Sequence, residues 1–269
     1  MIETAFLFET GAGSDTGVVR DHNEDAFLDL GEAGVWVVAD GMGGHEAGEF
    51  ASAAIRDAVA SVGRAVSAPD LQARFMDRLA RAHTTIQAQS HRLGGATVGA
   101  TVVALLVFDR HFVCIWSGDS RIYLLRQGQF RQVTMDHTEV NELLRNGAIT
   151  PDQALTWPRR NVITRAIGVH ARPMTDEVAG ALMHGDTFLL CSDGLTEHVL
   201  DAEMCDALTR MAPQEACNHL IGLTLARGAR DNVTVMVVRC LDRSAAFGSV
   251  ITQPSRPGET GHDEWHVEA

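Results

Sequence analysis

Residues 97–126 contain three apolar runs joined by very short connections. The runs are TVGATVVALLVF at 97–108, HFVCIWSGD at 111–119 and RIYLLR at 121–126, and only the dipeptide DR separates the first two. Parallel strands need a crossover of a dozen or more residues, whereas antiparallel strands can be joined by a tight turn. These runs therefore predict neighbouring antiparallel strands.

Further β-rich runs and two groups of helices complete the pattern. The other β-rich runs lie at 4–9, 35–40, 161–167, 186–193 and 232–238. Apolar residues at three- and four-residue spacing, with terminal Pro and Gly signals, predict helices at 47–63, 70–93, 138–146, 201–211 and 214–227. Meandering strands with helices in adjacent pairs predict an α+β protein. We expect a β-sandwich of two antiparallel sheets flanked by pairs of helices.

The same pattern sets the expected domain organisation. An architecture of this kind can place about 250 residues in one domain, and we expect that domain to span residues 1–242. A flap is predicted at about 138–160, where a short helix and NGAITPDQALTWPRR interrupt the core. From 243 to 269, Ser, Pro, Gly and acids replace any apolar period, which predicts a disordered C-terminal tail.

Composition narrows the class of partner. The chain has 35 acids against 22 Lys and Arg, a formal charge of −13, which would repel a nucleic acid backbone. No apolar stretch approaches the roughly 18 residues that cross a bilayer, and the N-terminus carries acids where a signal peptide is basic. We therefore expect a cytoplasmic monomer with no membrane span and no nucleic acid partner. The five scattered cysteines are expected to be reduced thiols.

Aspartate recurs where the predicted strands end. Asp40, Asp119 and Asp193 each end a run, and Asp231 lies just before another. A single pair such as Asp40-Gly41 is a common turn. Four carboxylates at one rim of a sandwich, however, would repel one another and favour protonation unless a cation lay among them. Since only oxygen donors are offered and no Cys or His pair has zinc-like spacing, the expected ions are Mg²⁺ or Mn²⁺.

Such ions suggest chemistry on phosphorus. Two of them about 4 Å apart would activate a water near neutral pH and align it for in-line attack. The phosphate then needs a basic group, and Arg20 lies beside Glu24 and Asp25 in SDTGVVRDHNEDAF at 14–27. A guanidinium fork suits a phosphate dianion better than an ammonium does. The alternative interpretation of Arg20 is a surface ion pair with its acidic neighbours.

Seven blocks of the sequence resemble the PP2C-type metal-dependent serine/threonine protein phosphatases, in their bacterial form. In chain order they are TGVVRDHNEDAF, VVADGMGGHEAGE, GATVGAT, IWSGDSRIYLLRQGQFRQVTMDHTEV, NVITRAIG, LLCSDGLTEHV and GARDNVTVMVV. The resemblance covers about residues 4–240. It implies a β-sandwich flanked by helix pairs. It also implies hydrolysis of phosphoserine and phosphothreonine on proteins, without a covalent intermediate.

The resemblance implies a metal-binding role for five matching residues. Asp40 would bridge two core ions of Mn²⁺ or Mg²⁺. The carbonyl of Gly41 would bind one of these ions, and Asp193 and Asp231 would complete the other. Asp119 would hold a third, weaker ion beside the flap and share it with Asp193.

Other matching residues surround the predicted ions. Glu24 and Asp25 fall where the family has acids that hold the metal-bound waters. Arg20 matches the phosphate-binding arginine, and Asn232 would orient Asp231.

The sequence departs from many eukaryotic relatives at Met42. Those relatives have a histidine directly after the Asp-Gly of the first metal motif, where it is proposed to protonate the leaving oxygen. In this chain His45 is the nearest substitute, within DGMGGH, which is typical of the bacterial branch. His45 is either a general acid or a cap of the helix that begins near Ala47.

The implied partners are phosphorylated proteins and a cognate bacterial serine/threonine kinase. The chain resembles phosphatases that oppose such kinases, including those paired with type VI secretion systems. Two alternatives stay open. The first is a catalytically weak, phospho-dependent binding module, although such proteins usually lose a metal aspartate and every expected ligand is present here. The second is a phosphatase of a non-protein phosphomonoester, since the metal centre itself does not read the leaving group.

Overall fold

Two antiparallel sheets stack face to face in the computed structural model, which describes residues 5–44 and 46–243. The first sheet has the order β1 (Phe6–Asp15), β11 (Val233–Asp242), β10 (Thr187–Cys191), β7 (Arg121–Arg126) and β8 (Gln129–Gln132). The second has the order β2 (Asp25–Leu30), β3 (Val35–Met42), β5 (Val102–Phe108), β6 (His111–Ser117) and β9 (Asp176–Ala181). The short strand β4 (Gly99–Ala100) pairs with the end of β3.

Helices cover the outer face of each sheet. On the second sheet lie α1 (Ala47–Val59) and α2 (Ala68–Arg92), and on the first lie α6 (Asp201–Arg210) and α7 (Pro213–Ala226). Three shorter helices are α3 (Glu139–Arg145) and α4 (Pro151–Leu155), between β8 and β9, and α5 (Asp193–Thr196), directly after β10. The predicted α+β class, with two antiparallel sheets and helix pairs, is confirmed.

The surroundings of strand β3 explain why its sequence begins with a continuous apolar run. Val35 and Val37 pack toward α1 and α2, while Trp36 and Val38 pack into the layer between the sheets. Successive strand residues point to opposite faces, so a strand covered on both faces is apolar throughout. Asp40 directly follows this apolar run and is still within β3, paired with Asp25.

The predicted strand at 161–167 is wrong. In this segment only Ile163 and Ile167 form isolated bridges, to Thr138 and Ala100. Its β-branched residues gave the strand signal, but β-propensity reflects packing against neighbours more than a backbone preference. Strands β2, β8 and β9 were not predicted. The edge strand β9 is DEVAGA and has an exposed, weakly apolar pattern.

Two of the predictions fall where the structure gives no description. The tail predicted from 243 onward lies outside the described residues from 244, and His45 is likewise not described. Among the described helices, none is both long and apolar enough to cross a membrane. All five cysteines are free, as predicted, and four of them are buried.

Candidate active site

The register of the first sheet gathers three of the predicted aspartates at one end. Cys191, the last residue of β10, pairs with the first residue of β7 and with the third residue of β11. Asp193 lies two residues after Cys191, Asp119 two residues before β7, and Asp231 two residues before β11. Because both pairings are antiparallel, these three positions meet at the same edge.

The second sheet supplies a facing pair of acids. Asp25, the first residue of β2, lies directly opposite Asp40 on β3. Directly opposed residues in an antiparallel pair project from the same face. The backbone of Asp40 is fixed by Thr101, whose N–H donates to the Asp40 carbonyl at 2.8 Å and whose hydroxyl accepts from the Asp40 N–H at 3.2 Å.

Asp25 connects the two sheets at this end. Its Oδ2 accepts hydrogen bonds from Ser192 Oγ at 2.8 Å and from Thr234 Oγ1 at 2.7 Å, both on the first sheet side. Its Oδ1 is buried and has no hydrogen-bond partner among the described residues. Buried carboxylate oxygens are normally satisfied, so this oxygen indicates a place for a water or a cation.

Burial and mutual repulsion shift the pKa values of these acids upward. Burial is the main cause for Asp40, whose pKa is raised well above its ordinary value, and the charges of Asp25 and Asp193 add to it. Burial also raises the pKa of Asp193 to about 8, with Asp119 as the next cause. The pKa of Asp25 and that of Asp119 each rise to about 6, again mainly through burial. Asp40 and Asp193 therefore need a nearby cation to be fully ionised at neutral pH.

Arg20 brings the only described positive charge that pairs with these aspartates. Its Nη2 lies 2.7 Å from Asp231 Oδ2, with side-chain exposures of 49% for Arg20 and 36% for Asp231. The ion pair that the sequence offered as the alternative interpretation of Arg20 is therefore present. About half of the Arg20 side chain is still open to solvent.

Asn232 holds the loop that carries Arg20. Its Oδ1 accepts the Glu24 N–H at 2.8 Å, and its Nδ2 donates to the carbonyls of Thr16 and His22 at 2.9 Å. Its own N–H donates to Asp231 Oδ1 at 2.9 Å. The side chain thus anchors the 16–24 loop, while only its backbone contacts the carboxylate of Asp231.

Each Asp-Gly pair needs glycine because another backbone passes beside it. A Cβ on Gly41 would lie 2.0 Å from the carbonyl oxygen of Gly48, and one on Gly194 would lie 2.0 Å from that of Asn232. Glu24 reaches the same place, since a Cβ on Gly48 would lie 2.6 Å from its Oε1. Burial is the main reason why the pKa of Glu24 is raised.

Three hydroxyl residues of the site had no predicted role. All three lie within blocks quoted above: Ser192 in LLCSDGLTEHV, Thr234 in GARDNVTVMVV and Thr101 at the end of GATVGAT. Their functions depend on which strands pair in which register, and a sequence pattern does not give that pairing. Met42 is half-buried at the end of β3 and pairs with Gly99.

The donor set fits Mg²⁺ or Mn²⁺ better than a metal that needs a closed protein cage. Within residues 5–44 and 46–243, no three His, Cys, Asp or Glu side chains converge closely enough to hold an ion unaided. Mg²⁺ characteristically keeps several waters and binds through one or two carboxylates. The oxygen-only donors, the unpartnered oxygen of Asp25 and the raised pKa values agree with such ions.

Comparison with known proteins identifies the family. The sequence profile described as Protein phosphatase 2C matches residues 14–143. The serine/threonine phosphatase stp of Listeria innocua is 36% identical over 236 residues, which cover 84% of this chain and 93% of that protein. The chain belongs to the protein phosphatase 2C family. The structure of PppA, titled a key regulatory component of T6SS in Pseudomonas aeruginosa, matches with a TM-score of 0.80 and 41% identity, over 87% of this chain and 98% of that one.

A third protein phosphatase 2C relative is longer than this chain. Serine/threonine protein phosphatase PstP of Mycobacterium tuberculosis is 36% identical over 98% of this chain, which spans only 50% of PstP. The structure of the PstP catalytic domain in complex with two manganese ions matches with a TM-score of 0.77 and 36% identity, over 88% of this chain and 100% of that one.

Proposed function

We propose that this protein is a Mn²⁺- or Mg²⁺-dependent phosphatase that hydrolyses phosphoserine and phosphothreonine in proteins. The observation that carries the proposal is the cluster of aspartates at one end of a protein phosphatase 2C sandwich, where burial and then mutual repulsion raise the pKa values of Asp40 and Asp193. Support comes from stp, a relative matched over almost its whole length and named a serine/threonine phosphatase. The two manganese ions in the PstP complex support the choice of metal.

We assign the ions to the residues that the sequence singled out. Asp40, the carbonyl of Gly41, Asp193 and Asp231 would hold two core ions, and Asp119 with Asp193 would hold a third. When bound, the ions supply positive charge that lowers the pKa of water and balances the charge of the phosphoryl group.

The chain's own groups then position the substrate and the solvent. One nitrogen of Arg20 contacts Asp231, so its other guanidinium nitrogens can donate to phosphate oxygens. Glu24 and Asp25 would orient waters, since Asp25 Oδ1 has no partner among the described residues. We propose His45, which lies outside those residues, as the proton donor to the leaving oxygen.

Phosphothreonine peptide hydrolysis tests the metal requirement. We expect turnover with Mn²⁺, its loss with EDTA and its return when Mn²⁺ is restored. Asp40→Asn and Asp231→Asn should each lower kcat/KM at least about 100-fold, because each removes a metal-binding charge. Asp57→Asn, on the exposed face of α1, changes the net charge equally and should retain activity. Turnover that survives chelation would refute the mechanism.

The same assay separates the two alternatives. A phospho-dependent binding module would bind the peptide without hydrolysing it. A phosphatase of small phosphomonoesters would hydrolyse these with a kcat/KM far above that for any phosphopeptide.

We also propose a cellular setting. The partner would be a bacterial serine/threonine kinase whose products this cytoplasmic, monomeric protein dephosphorylates. The 41% identity to PppA supports a type VI secretion system as the setting. A strain that lacks the gene should accumulate phosphothreonine on the kinase and its substrates, measured by phosphoproteomics.

A further inference from the structure

A polar cleft of about 810 Å³ opens beside the predicted metal site. Asp119 and Asp193 are among its lining residues, together with Leu144 of α3 and Leu155 of α4. Arg230 lines the same cleft. A substrate whose phosphate lies at the carboxylates would therefore place its flanking residues in this cleft.

Arg230 immediately precedes Asp231, so its Cα is one peptide unit from a predicted metal ligand. Its backbone position is constrained from both sides. The preceding Ala229 is fully buried and accepts a hydrogen bond from Val18 N–H at 3.0 Å. The Arg230 N–H itself donates to His198 Nε2 at 3.4 Å.

The guanidinium of Arg230 forms no ion pair within the described part of the chain, although acids line the same cleft. Its neighbour Arg227 behaves differently, because two of its nitrogens contact the Glu203 carboxylate at 2.6 and 2.7 Å. Arg160 lines the cleft as well and is also without a described ion-pair partner. The chain contains no lysine, so its 22 Lys-or-Arg residues are all arginines.

We propose that this cleft binds a carboxylate side chain of the phosphoprotein, next to the phosphorylated residue, and that Arg230 determines this specificity. The proposal rests on the proposed phosphatase function. With a net charge of −13, most of the protein's surface repels acidic peptides. Arg230 is a local exception to this repulsion, because its guanidinium has no internal partner among the described residues and it immediately precedes Asp231. Its guanidinium can form a charge-assisted hydrogen bond with a carboxylate of the peptide.

Matched phosphopeptides test the proposal. Each pair of peptides has the same sequence around one phosphothreonine, except that one member has Glu and the other Gln at a single flanking position. Successive pairs move this position along the peptide. The readout is the ratio of kcat/KM for the Glu peptide to that for the Gln peptide. This ratio cancels any general loss of activity. We expect a ratio of about 5 to 10 at the best position for the parent protein, equivalent to roughly 1 kcal/mol.

Variants identify the residue responsible. Arg230→Ala should bring the ratio to about 1 and Arg230→Glu should invert it, because the wall then repels carboxylates. Arg64→Glu, which makes the same charge change on an exposed surface outside the cleft, should leave the ratio as in the parent. Fluorescence anisotropy of the same peptides on Asp40→Asn provides a readout of binding without turnover, and we expect the Glu peptide to bind more tightly.

The outcomes separate this proposal from the proposed function. Equal hydrolysis of Glu and Gln peptides at every position, or a preference that persists in Arg230→Ala, would overturn the specificity and leave the phosphatase function standing. Failure of the parent protein with Mn²⁺ to hydrolyse any phosphopeptide would overturn the proposed function itself.

Discussion

At the scale of single residues, the glycine of each Asp-Gly pair is fixed by crowding. The sequence pattern DG is ambiguous, because it is equally typical of a turn. In the structure Gly41 is still part of β3, and the carbonyl of Gly48 from α1 approaches it from the side. The small residue therefore lets α1 begin close to Asp40.

Gly41→Ala tests this crowding. The new Cβ would lie 2.0 Å from the Gly48 oxygen and 2.7 Å from the Glu24 oxygen, and both are backbone atoms that cannot rotate away. We expect the free energy of unfolding to fall by about 3 kcal/mol or more. Urea denaturation measures the change. Gly44→Ala is the control, since its Cβ would meet nothing within 4 Å, and it should shift stability by less than about 1 kcal/mol.

At the scale of elements, His137 joins three segments around the cleft. It is 4% exposed, and its Nδ1 accepts the Gly118 N–H at 3.1 Å while its backbone N–H donates to the Gly118 carbonyl at 2.9 Å. Its Nε2 lies 3.1 Å from Asp176 Oδ2 at the start of β9. Since Nδ1 accepts, the proton is on Nε2 and is donated to Asp176. Burial lowers the pKa of His137, which favours this neutral form.

His137→Ala should loosen the turn that carries Asp119. Removing the ring leaves the Gly118 N–H without its buried acceptor, so we expect a loss of about 2 to 3 kcal/mol in the free energy of unfolding. We also expect weaker binding of the third Mn²⁺, measured by calorimetry, with the two core ions retained. His111→Ala changes an exposed histidine at the start of β6 and should be nearly neutral. Equal stability of the two variants would contradict this account.

At the scale of the whole molecule, the acids of the site come from both sheets, and their negative charges repel one another. The pKa of Asp193 is raised to about 8, mainly by burial. A raised carboxyl pKa means that the unfolded chain releases its proton first. The stability linked to this group is therefore full below about pH 4 and is lost as pH rises toward 8.

Asp193→Asn in EDTA tests this linkage. Relative to the parent protein, the variant should gain stability between pH 5 and pH 8, on the order of a few kcal/mol, because asparagine does not ionise. Chemical denaturation at each pH measures the difference, and subtracting the parent removes the contribution of the histidines. Added Mn²⁺ should reverse the sign of the difference at pH 8, where the ionised Asp193 would bind the ion. A difference that does not change with pH would contradict the raised pKa.

The sequence by itself determined the layered α+β class and predicted the acids and the arginine of the candidate site. Short connections require antiparallel neighbours, and the seven ordered blocks point to a phosphatase with oxygen-only metal ligands. The short connections and the residues within each block are local features of the sequence, so they can be recognised without knowing the fold. The same local signal failed at 161–167, where β-branched residues form two bridges and no strand.

Only the tertiary structure decided which groups meet. The contacts of Ser192 and Thr234 with Asp25 and the anchoring of the 16–24 loop by Asn232 join segments far apart in the chain. The exposure of Arg230 beside the cleft likewise depends on the tertiary structure. Strand register and sheet stacking set these contacts. Register depends on the packing of the whole core, so it is a property of the folded molecule and cannot be read from any one stretch of sequence.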